Sequence, residues 1–422
     1  MSMPLSACRK LSILVWLLAL VAIPVWNAVD PGNGWDAKPI LNAIHSLAAG
    51  HDPYLDGMAT RIDFQNHLAL HPGAPIPFFY VYSPLTLPLL RAVSAFPAAL
   101  YCGFYWLLYA VGAILPLWVC VKTAEANERQ IVALVAPAAL FFPGLLQHCA
   151  IMSGNTAYIF YGLIFAAALW GWRRSQWRWF YLAVLLASCF KLPFLSLLAI
   201  PPLSARKQWL PAGIAAAAGA ALFAVQLWIW PDYFHHYLQA LTLIFSLDHG
   251  FGFAPTGLLG RALFDAGMPY STGGAIFHLL FALLLFASLL FLSRQHLRSR
   301  FSLEQWVPVL LTGVLLLNPR VQEYDVAPLT VFLAVIVWRS AASSLGNARA
   351  LLFCALGFVV LNAGAIAVNT FDVENYYWNH GEGILLTAIF TAGVFRLVML
   401  SRAPTEVFEE IEDEPLAAEA AF

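Results

Sequence analysis

Long apolar stretches dominate the chain, and they are continuous rather than alternating. Each stretch has about 15 to 25 residues, close to the roughly 20 that an α-helix needs to cross a bilayer. Alternating segments of about ten residues, the pattern of a membrane β-barrel, do not describe them. The pattern therefore predicts an all-α, polytopic membrane protein with about 11–12 transmembrane helices. The runs lie near 11–29, 98–121, 130–149, 153–171, 178–203, 208–230, 273–293, 304–318, 325–339, 349–369 and 382–400.

The run 178–203 contains a lysine and a proline, Lys191 and Pro193, and allows two interpretations. It is either one kinked helix with a lysine inside the membrane or two short helices that meet at Lys191. Basic residues favour cytoplasmic loops. If the chain turns back at Lys191, 16 of the 22 Lys and Arg residues fall on one side, whereas a single crossing moves the cluster 294–300 to the other side. The sequence favours the broken pair, with about 12 crossings and both termini in the cytoplasm.

This topology leaves two long segments, 30–83 and 231–272, on the extracytoplasmic face. Both contain amphipathic patterns that predict helices lying on the membrane surface and covering a cavity. No internal repeat is found, so residues 1–402 are predicted to form a single membrane-embedded domain. The acidic tail 403–422 is predicted to be disordered and cytoplasmic. The amphipathic positions are Ile40, Leu41, Ile44, Leu47 and Ala48 in the first segment and Phe234, Leu238, Leu241 and Phe245 in the second.

Composition excludes several classes of protein. The chain is 61% hydrophobic and 11% charged, whereas soluble domains are about 45–50% apolar and about 25% charged. With 22 basic against 23 acidic residues it has no excess of positive charge for nucleic acid, so no such partner is expected. The six cysteines form no CxxC motif, and no HExxH motif occurs, so neither a metal nor another cofactor is expected.

Two polar residues stand where chemistry is plausible. Asp36 follows the first apolar run and precedes a short amphipathic pattern that Gly50 would end, so it is either a helix N-cap or a general base, and the two roles are compatible. Lys191 lies between Phe190 and Leu192, where a charge is costly unless it reaches water, meets a carboxylate or binds an anion.

Three further clusters have both a structural and a functional interpretation. Tyr80 and Tyr82 lie where the chain re-enters the membrane, which suits an interfacial aromatic belt or a substrate site. Asn155 lies in a short polar turn and suits a helix cap or a site residue. The segment 318–325 places Arg320 near Glu323 and Asp325, which suits an ion pair or an anion site.

In this order along the chain, these residues resemble glycosyltransferase family 87, membrane enzymes of the GT-C superfamily that use polyprenyl-phosphate sugars. The chain departs from the family at two places: Gly154-Asn155 replaces the usual Gly-Gln, and Tyr324 stands where a histidine often precedes the late aspartate. The motifs that carry the resemblance are Trp35-Asp36, Gly50-x-Asp52-Pro53-Tyr54, Tyr80-x-Tyr82-Ser83-Pro84, Gly154-Asn155, Lys191 with Pro193, and Asn318-Pro319-Arg320 followed by Tyr324-Asp325.

The resemblance implies a GT-C-like fold and an inverting transfer of a hexose, with mannose as a candidate, to an extracytoplasmic lipid or glycan acceptor. Asp36 then takes the role of general base, and Lys191 and Arg320 are candidates for binding the donor phosphate. The partners implied are the polyprenyl-phosphate sugar, the acceptor and membrane lipids, with the enzyme in the inner (plasma) membrane. The residues implied to bind substrate are Trp35, Asp52, Tyr54, Tyr80, Tyr82, Asn155, Tyr324 and Asp325.

Two other functions fit the same apolar chain. A transporter or lipid-linked sugar flippase would also carry ionisable residues and broken helices, although such proteins often have two related halves, which this sequence lacks. A non-catalytic scaffold subunit would need neither Asp36 nor Lys191 to be charged.

Overall fold

A computed structural model describes residues 5–29, 33–67, 77–140, 150–248, 252, 254–267, 272–318, 320–371 and 376–402. Over these residues every regular element is a helix and no strand occurs, which confirms the predicted all-α class. The tail 403–422 lies outside the described residues.

The α-helices of the described residues are numbered in chain order. In the first half of the chain they are α1 (Leu5–Val29), α2 (Lys38–Ala48), α3 (Pro53–Asn66), α4 (Leu87–Val93), α5 (Ala98–Lys122), α6 (Arg129–Val135), α7 (Ala157–Arg174), α8 (Arg178–Ser188) and α9 (Ile200–Ser204). In the second half they are α10 (Trp209–Ile229), α11 (Pro231–Asp248), α12 (Pro255–Asp265), α13 (Thr272–Leu297), α14 (Leu303–Leu316), α15 (Glu323–Val326), α16 (Thr330–Leu345), α17 (Asn347–Phe371) and α18 (Tyr376–Arg402). Short 3₁₀ helices cover Pro84–Thr86, Ala136–Leu140, Ala150–Met152, Leu192–Ala199 and Ala327–Leu329.

Within the described residues, five helical stretches are long and apolar enough to cross a membrane. Shorter apolar helices of 10–17 residues occupy five of the other six predicted runs, and the 18-residue α7 occupies the run 153–171, so every run contains helix. The architecture is that of a helical membrane protein, while the total of about 12 crossings stays a prediction. The five stretches are Ala98–Lys122, Trp209–Ile229, Ile276–Leu297, Glu323–Leu345 and Gly383–Arg402.

The run 178–203 is broken at Lys191. Helix α8 ends at Ser188, the backbone of Lys191 is extended (φ −135°, ψ 114°), and a 3₁₀ helix begins at the next residue. Pro193 favours this break because the residue before a proline avoids the α conformation. The Tyr181 hydroxyl donates to the side-chain oxygen of Gln208 at 3.1 Å, so the start of α8 lies beside the residues that follow α9. The chain therefore turns back at the lysine, which confirms the broken pair.

Basic side chains gather at the end of the bundle opposite this break. Arg173, at the end of α7, donates to the carbonyl of Lys122 at the end of α5 (3.4 Å). Arg206, just after α9, donates to the carbonyl of Leu297 at the end of α13 (3.1 Å). These contacts bring together four of the chain segments that the charge pattern assigns to one side of the membrane.

A buried arginine ties further helices together at the same end. The guanidinium of Arg339 on α16 is 4% exposed and donates to both oxygens of Glu128 (2.7–3.1 Å). It also donates to the carbonyl of Glu304 at the start of α14 (2.8 Å). Separating these helices would leave Arg339 or Glu128 as a buried charge without a partner, which is costly. The contact therefore holds α14 and α16 against the turn after α5.

The surface helices α2, α3 and α11 pack on one another at the opposite end, as an apolar cluster. Helix α2 buries Ile40, Ile44 and Leu47, as its amphipathic pattern predicts, but Leu41 is half-buried and Ala48 is exposed. In α11 the predicted stripe is partly wrong. Phe234 is buried, but Leu238 is 41% exposed and the buried positions that follow Phe234 are Tyr237 and Ala240, while the side chain of Phe245 lies outside the described residues. The aromatic ring of Tyr54, 6.1 Å from that of Tyr237, selects this face.

We expect topology reporters fused after Gln176, Lys207 and Arg300 to report the same side of the membrane, because all three positions lie at the basic end. A reporter after His67 should report the opposite side. The measurement is paired activity of a cytoplasmic and an extracytoplasmic reporter at each site. Opposite signals at Gln176 and Lys207 would show that the segment between them crosses the membrane once.

Candidate active site

A cavity of about 590 Å³ opens at the end of the bundle that carries the surface helices, within the 300–1,000 Å³ of typical ligand pockets. Its walls come from the loop after α1, the segment 77–83, the break at Lys191, α11 and the segment 318–325. Most of the predicted site residues line it, namely Trp35, Asp36, Tyr82, Asn155, Lys191, Arg320, Tyr324 and Asp325. Residues separated by nearly 290 positions in the chain thus share one space.

Two turns in close contact position Asp36. The backbone N–H of Gly34 donates to the carbonyl of Met152 (2.7 Å), and the N–H of Asp36 donates to the carbonyl of Ser153 (2.8 Å). Both turns depend on a glycine with positive φ, Gly34 at +70° and Gly154 at +69°. These backbone bonds place the Asp36 side chain independently of its own charge.

The N-cap interpretation of Asp36 is wrong. Helix α2 begins at Lys38, and Ala37 is its N-cap residue, with no side-chain capping bond. Pro39 in the first turn reduces the need for a cap because it has no N–H to satisfy. The Asp36 carboxylate instead faces the cavity, where Asn155 Nδ2 donates to its Oδ2 at 3.0 Å.

Asn155 also reaches Lys191. Its Oδ1 accepts from Lys191 Nζ at 3.0 Å and from the backbone N–H of Ala157, at the start of α7, at 3.0 Å. The one amide therefore binds the first residue of α7, next to the N-cap residue Thr156, and also contacts Asp36 and Lys191. Its role as a site residue stays a prediction. The Lys191 ammonium lies 4.4 Å from the ring centre of Tyr324 and 5.3 Å from that of Tyr82, distances that suit cation–π attraction.

Burial raises the pKa of the Asp36 carboxyl group. Loss of water raises its pKa from 3.8 to about 6, and nearby Glu323 adds to the increase. The Asn155 hydrogen bond and the charge of Lys191 act in the opposite direction, so they limit the increase. A carboxylate with a pKa about one unit below neutral pH is mostly ionised there and still accepts a proton far better than an exposed aspartate.

Residues 318, 320 and 322–325 form another part of the cavity wall. Asp325 is buried, accepts from the Tyr161 hydroxyl at 3.2 Å, and accepts from the backbone N–H of Gln322 at 3.0 Å. The second bond belongs to a capping box that starts α15, so Asp325 has a structural role beside its place in the cavity wall. Arg320 lines the cavity, and its backbone N–H donates to Asn318 Oδ1 (3.1 Å).

Three predicted site residues do not line the cavity. Asp52 caps α3, accepting from the N–H of Tyr54 (2.8 Å), and pairs with His236 on α11 (2.8 Å). Tyr54 is fully buried and its hydroxyl donates to the carbonyl of Tyr82 (2.6 Å). The Tyr80 hydroxyl is hydrogen-bonded to Thr86. The structure therefore places Asp52, Tyr54 and Tyr80 behind the wall that Tyr82 presents, where they support it.

Sequence reasoning missed Tyr161. It lines the cavity beside Asp325, yet its sequence surroundings are those of an ordinary apolar helix. The available signal was the hydroxyl itself, because a buried tyrosine normally needs a hydrogen-bond partner. Among the described residues, no group of three or more His, Cys, Asp or Glu side chains is arranged to hold a metal ion.

Comparisons with known proteins add no relative. No protein-family model, no curated protein and no solved structure matches the chain. The functional interpretation consequently depends on the residues of the cavity and on their chemistry.

We expect Gly154→Ala to destabilise the protein and to disturb the site. A Cβ there would lie 2.8 Å from the Trp106 ring and 3.2 Å from Gly34 Cα, at a φ that alanine rarely adopts, which should cost about 1–3 kcal/mol. The measurement is the thermal unfolding midpoint of the detergent-purified protein. Gly103→Ala on α5 is the matched control, because nothing lies within 4 Å of its added Cβ and helix propensity favours alanine. Equal midpoints for both variants would contradict the close contact of the two turns.

Proposed function

We propose that the protein is an integral-membrane inverting glycosyltransferase that moves a hexose from a polyprenyl-phosphate sugar to a lipid or glycan acceptor. The observation that carries this proposal is the pair of charged groups, Asp36 and Lys191, joined through Asn155 at the wall of one cavity. The resemblance to glycosyltransferase family 87 points to the same reaction. A GT-C-like fold belongs to this proposal.

The reaction needs one base and a stabilised leaving group. Asp36 accepts the proton of the acceptor hydroxyl as its oxygen attacks the anomeric carbon of the sugar. The bond from that carbon to the phosphate oxygen breaks, its electron pair stays on the phosphate, and the configuration inverts. Because a polyprenyl phosphate leaves as a stable anion, no carboxylic acid is required to protonate it, unlike the alkoxide released by a glycosidase.

In this proposal two cations stabilise that anion. Lys191 and Arg320 both line the cavity, and positive charge near a developing phosphate anion lowers the barrier. Apolar walls formed by Phe190, Leu241 and Ile244 suit the first isoprene units of the donor. The remaining lining residues, including Trp35 and Tyr82, are available to contact the sugar.

The charge pattern supports an orientation. With the basic end facing the cytoplasm, the cavity opens on the extracytoplasmic side of the plasma (inner) membrane. The surface helices α2, α3 and α11 then lie at the outer interface.

We expect Asp36→Asn to abolish transfer while donor binding stays close to the wild-type level. General-base catalysis contributes about 10²–10⁴-fold, so the loss should fall in or above that range. The assay uses purified protein in vesicles with a panel of labelled polyprenyl-phosphate sugars and follows release of polyprenyl phosphate. Asp63→Asn, whose side chain is 78% exposed on α3, is the matched control.

The same assay has a defined pH dependence and separates the alternatives. Because Asp36 must be ionised and burial raises its pKa to about 6 in the free protein, kcat/KM should rise between pH 5 and pH 7 with its midpoint near 6. Full activity of Asp36→Asn would remove this residue from the mechanism. Movement of the labelled donor across the vesicle without release of polyprenyl phosphate would instead identify a flippase.

We expect Lys191→Ala to weaken donor binding. A hydrogen bond to a charged group contributes about 1.5–3 kcal/mol, which corresponds to roughly 10- to 100-fold in affinity. The measurement is the Kd of polyprenyl phosphate for the protein in nanodiscs, with Lys38→Ala, an exposed lysine at the start of α2, as control. Unchanged affinity would assign Lys191 a structural role.

A further inference from the structure

The amide of Asn155 has its polar atoms engaged by the protein itself. Its Nδ2 donates to Asp36, while its Oδ1 accepts from both Lys191 and the N–H of Ala157, each at 3.0 Å. Asn155 is only 3% exposed although it borders the cavity. Little of the side chain is left for a sugar hydroxyl, so the substrate-binding role implied by the family resemblance does not suit it.

We propose that Asn155 is a positioning residue that couples the phosphate site at Lys191 to the base Asp36. This inference rests on the proposed function, because it assigns the phosphate of the donor to Lys191. The coupling follows from geometry: the carboxylate and the ammonium are separated by two hydrogen bonds of 3.0 Å and the width of one amide group.

A neutral spacer between these two charges has a chemical purpose. In direct contact, an ammonium group lowers the pKa of a carboxylate by about 1–3 units and would leave Asp36 a poor base. The amide prevents this contact, since it satisfies one oxygen of Asp36 and one hydrogen of Lys191 at the same time.

The spacer is held rigidly from several directions. The N–H of Asn155 donates to Ser153 Oγ at 3.1 Å, and the carbonyl of Gly154 accepts from the Tyr105 hydroxyl. Lys191, by contrast, has a long flexible side chain, and the structure gives its ammonium group one hydrogen bond, to Asn155, among the described residues. When an anion arrives, the ammonium group is therefore the part that turns towards it.

Binding of a phosphate would change the charge that Asp36 experiences. Once the phosphate neutralises Lys191, the ionised form of Asp36 loses a stabilising neighbour, so its pKa rises and it becomes a stronger base. The tyrosines near Asp36 are neutral phenols at pH 5–8. The change in the pKa of Asp36 on phosphate binding therefore comes from the neutralisation of Lys191, which has Arg320 as a neighbouring cation. The charged or titratable groups that face Asp36 from the elements around it are Lys191, Glu323, Tyr82, Tyr105, Tyr109 and Tyr324.

The test measures the protonation of Asp36 directly, without relying on turnover. Infrared difference titration of the protein in nanodiscs follows the carbonyl band of the protonated carboxyl group, assigned by its loss in Asp36→Asn. In the wild type we expect a midpoint near pH 6 that rises to about 7 when polyprenyl phosphate is added. No change in the midpoint at saturating polyprenyl phosphate would overturn the proposal.

Variants of Asn155 test whether the phosphate-induced change in the Asp36 pKa depends on the hydrogen bonds of this amide or only on the short distance between the charges. Asn155→Leu keeps the bulk of the spacer but removes its hydrogen bonds, so the midpoint without phosphate should lie above 6 and the further rise on adding phosphate should fall to less than half of the wild-type rise. The same substitution at exposed Asn66, Asn66→Leu, should leave both values unchanged. An equal phosphate-induced rise in Asn155→Leu and wild type would overturn the role of Asn155.

A second variant covers the case in which Asn155→Leu fails to fold. Lys191→Gln keeps a hydrogen-bond donor beside Asn155 but removes the charge, so the midpoint should be raised without phosphate and should not respond to it. A response as large as that of the wild type would overturn the proposal. If polyprenyl phosphate shifts the midpoint but no sugar is transferred from any donor, the coupling stands and the glycosyltransferase function fails.

Discussion

A lysine ammonium group at the wall of an apolar bundle is the constraint around which the site is organised. Such a charge is costly unless partners replace the water it loses. The structure supplies them from four segments: the amide of Asn155, the rings of Tyr82 and Tyr324, and the nearby carboxylates of Asp36 and Asp325. These segments meet because the helix breaks at Lys191. In a continuous helix Lys191 would lie on the side of the helix, whereas the break places it at the end of α8, where it lines the cavity.

The bundle separates two kinds of electrostatic arrangement. At the basic end, Arg339 is in direct contact with Glu128 (2.7 Å) and also pairs with Glu125 (3.7 Å), which suits a structural joint between helices. At the cavity, Asp36 and Lys191 are kept apart by an amide, which leaves each charge incompletely compensated. Incomplete compensation costs stability, and it is the condition under which a carboxylate can still take a proton and an ammonium group can still bind an anion.

Sequence reasoning predicted the parts of this molecule that depend on local pattern and on charge. The apolar runs gave the helices, and the distribution of Arg and Lys gave the reversal at Lys191, because both follow from transfer of side chains between water and lipid. It failed where tertiary contacts decide. Asp36 does not cap α2 because the helix begins one residue too late, at Lys38. The surface helices cover the ring of Tyr54 and leave the ring of Tyr82 at the cavity. Neither is encoded in a short motif.

Under the proposed resemblance to glycosyltransferase family 87, the two positions at which this sequence departs from the family pattern contact one group, the Lys191 ammonium. Asn155, where a glutamine is usual, accepts from the Lys191 ammonium, and Tyr324, where a histidine is frequent, places its ring 4.4 Å below the same group. The Asn155 amide holds the lysine beside the start of α7, and the neutral ring of Tyr324 supports the ammonium group without adding a side chain that titrates near pH 6.5. These two side chains therefore contact the same ammonium group, and neither adds a carboxyl or imidazole group to the carboxyl groups of Asp36, Glu323 and Asp325 that line the cavity.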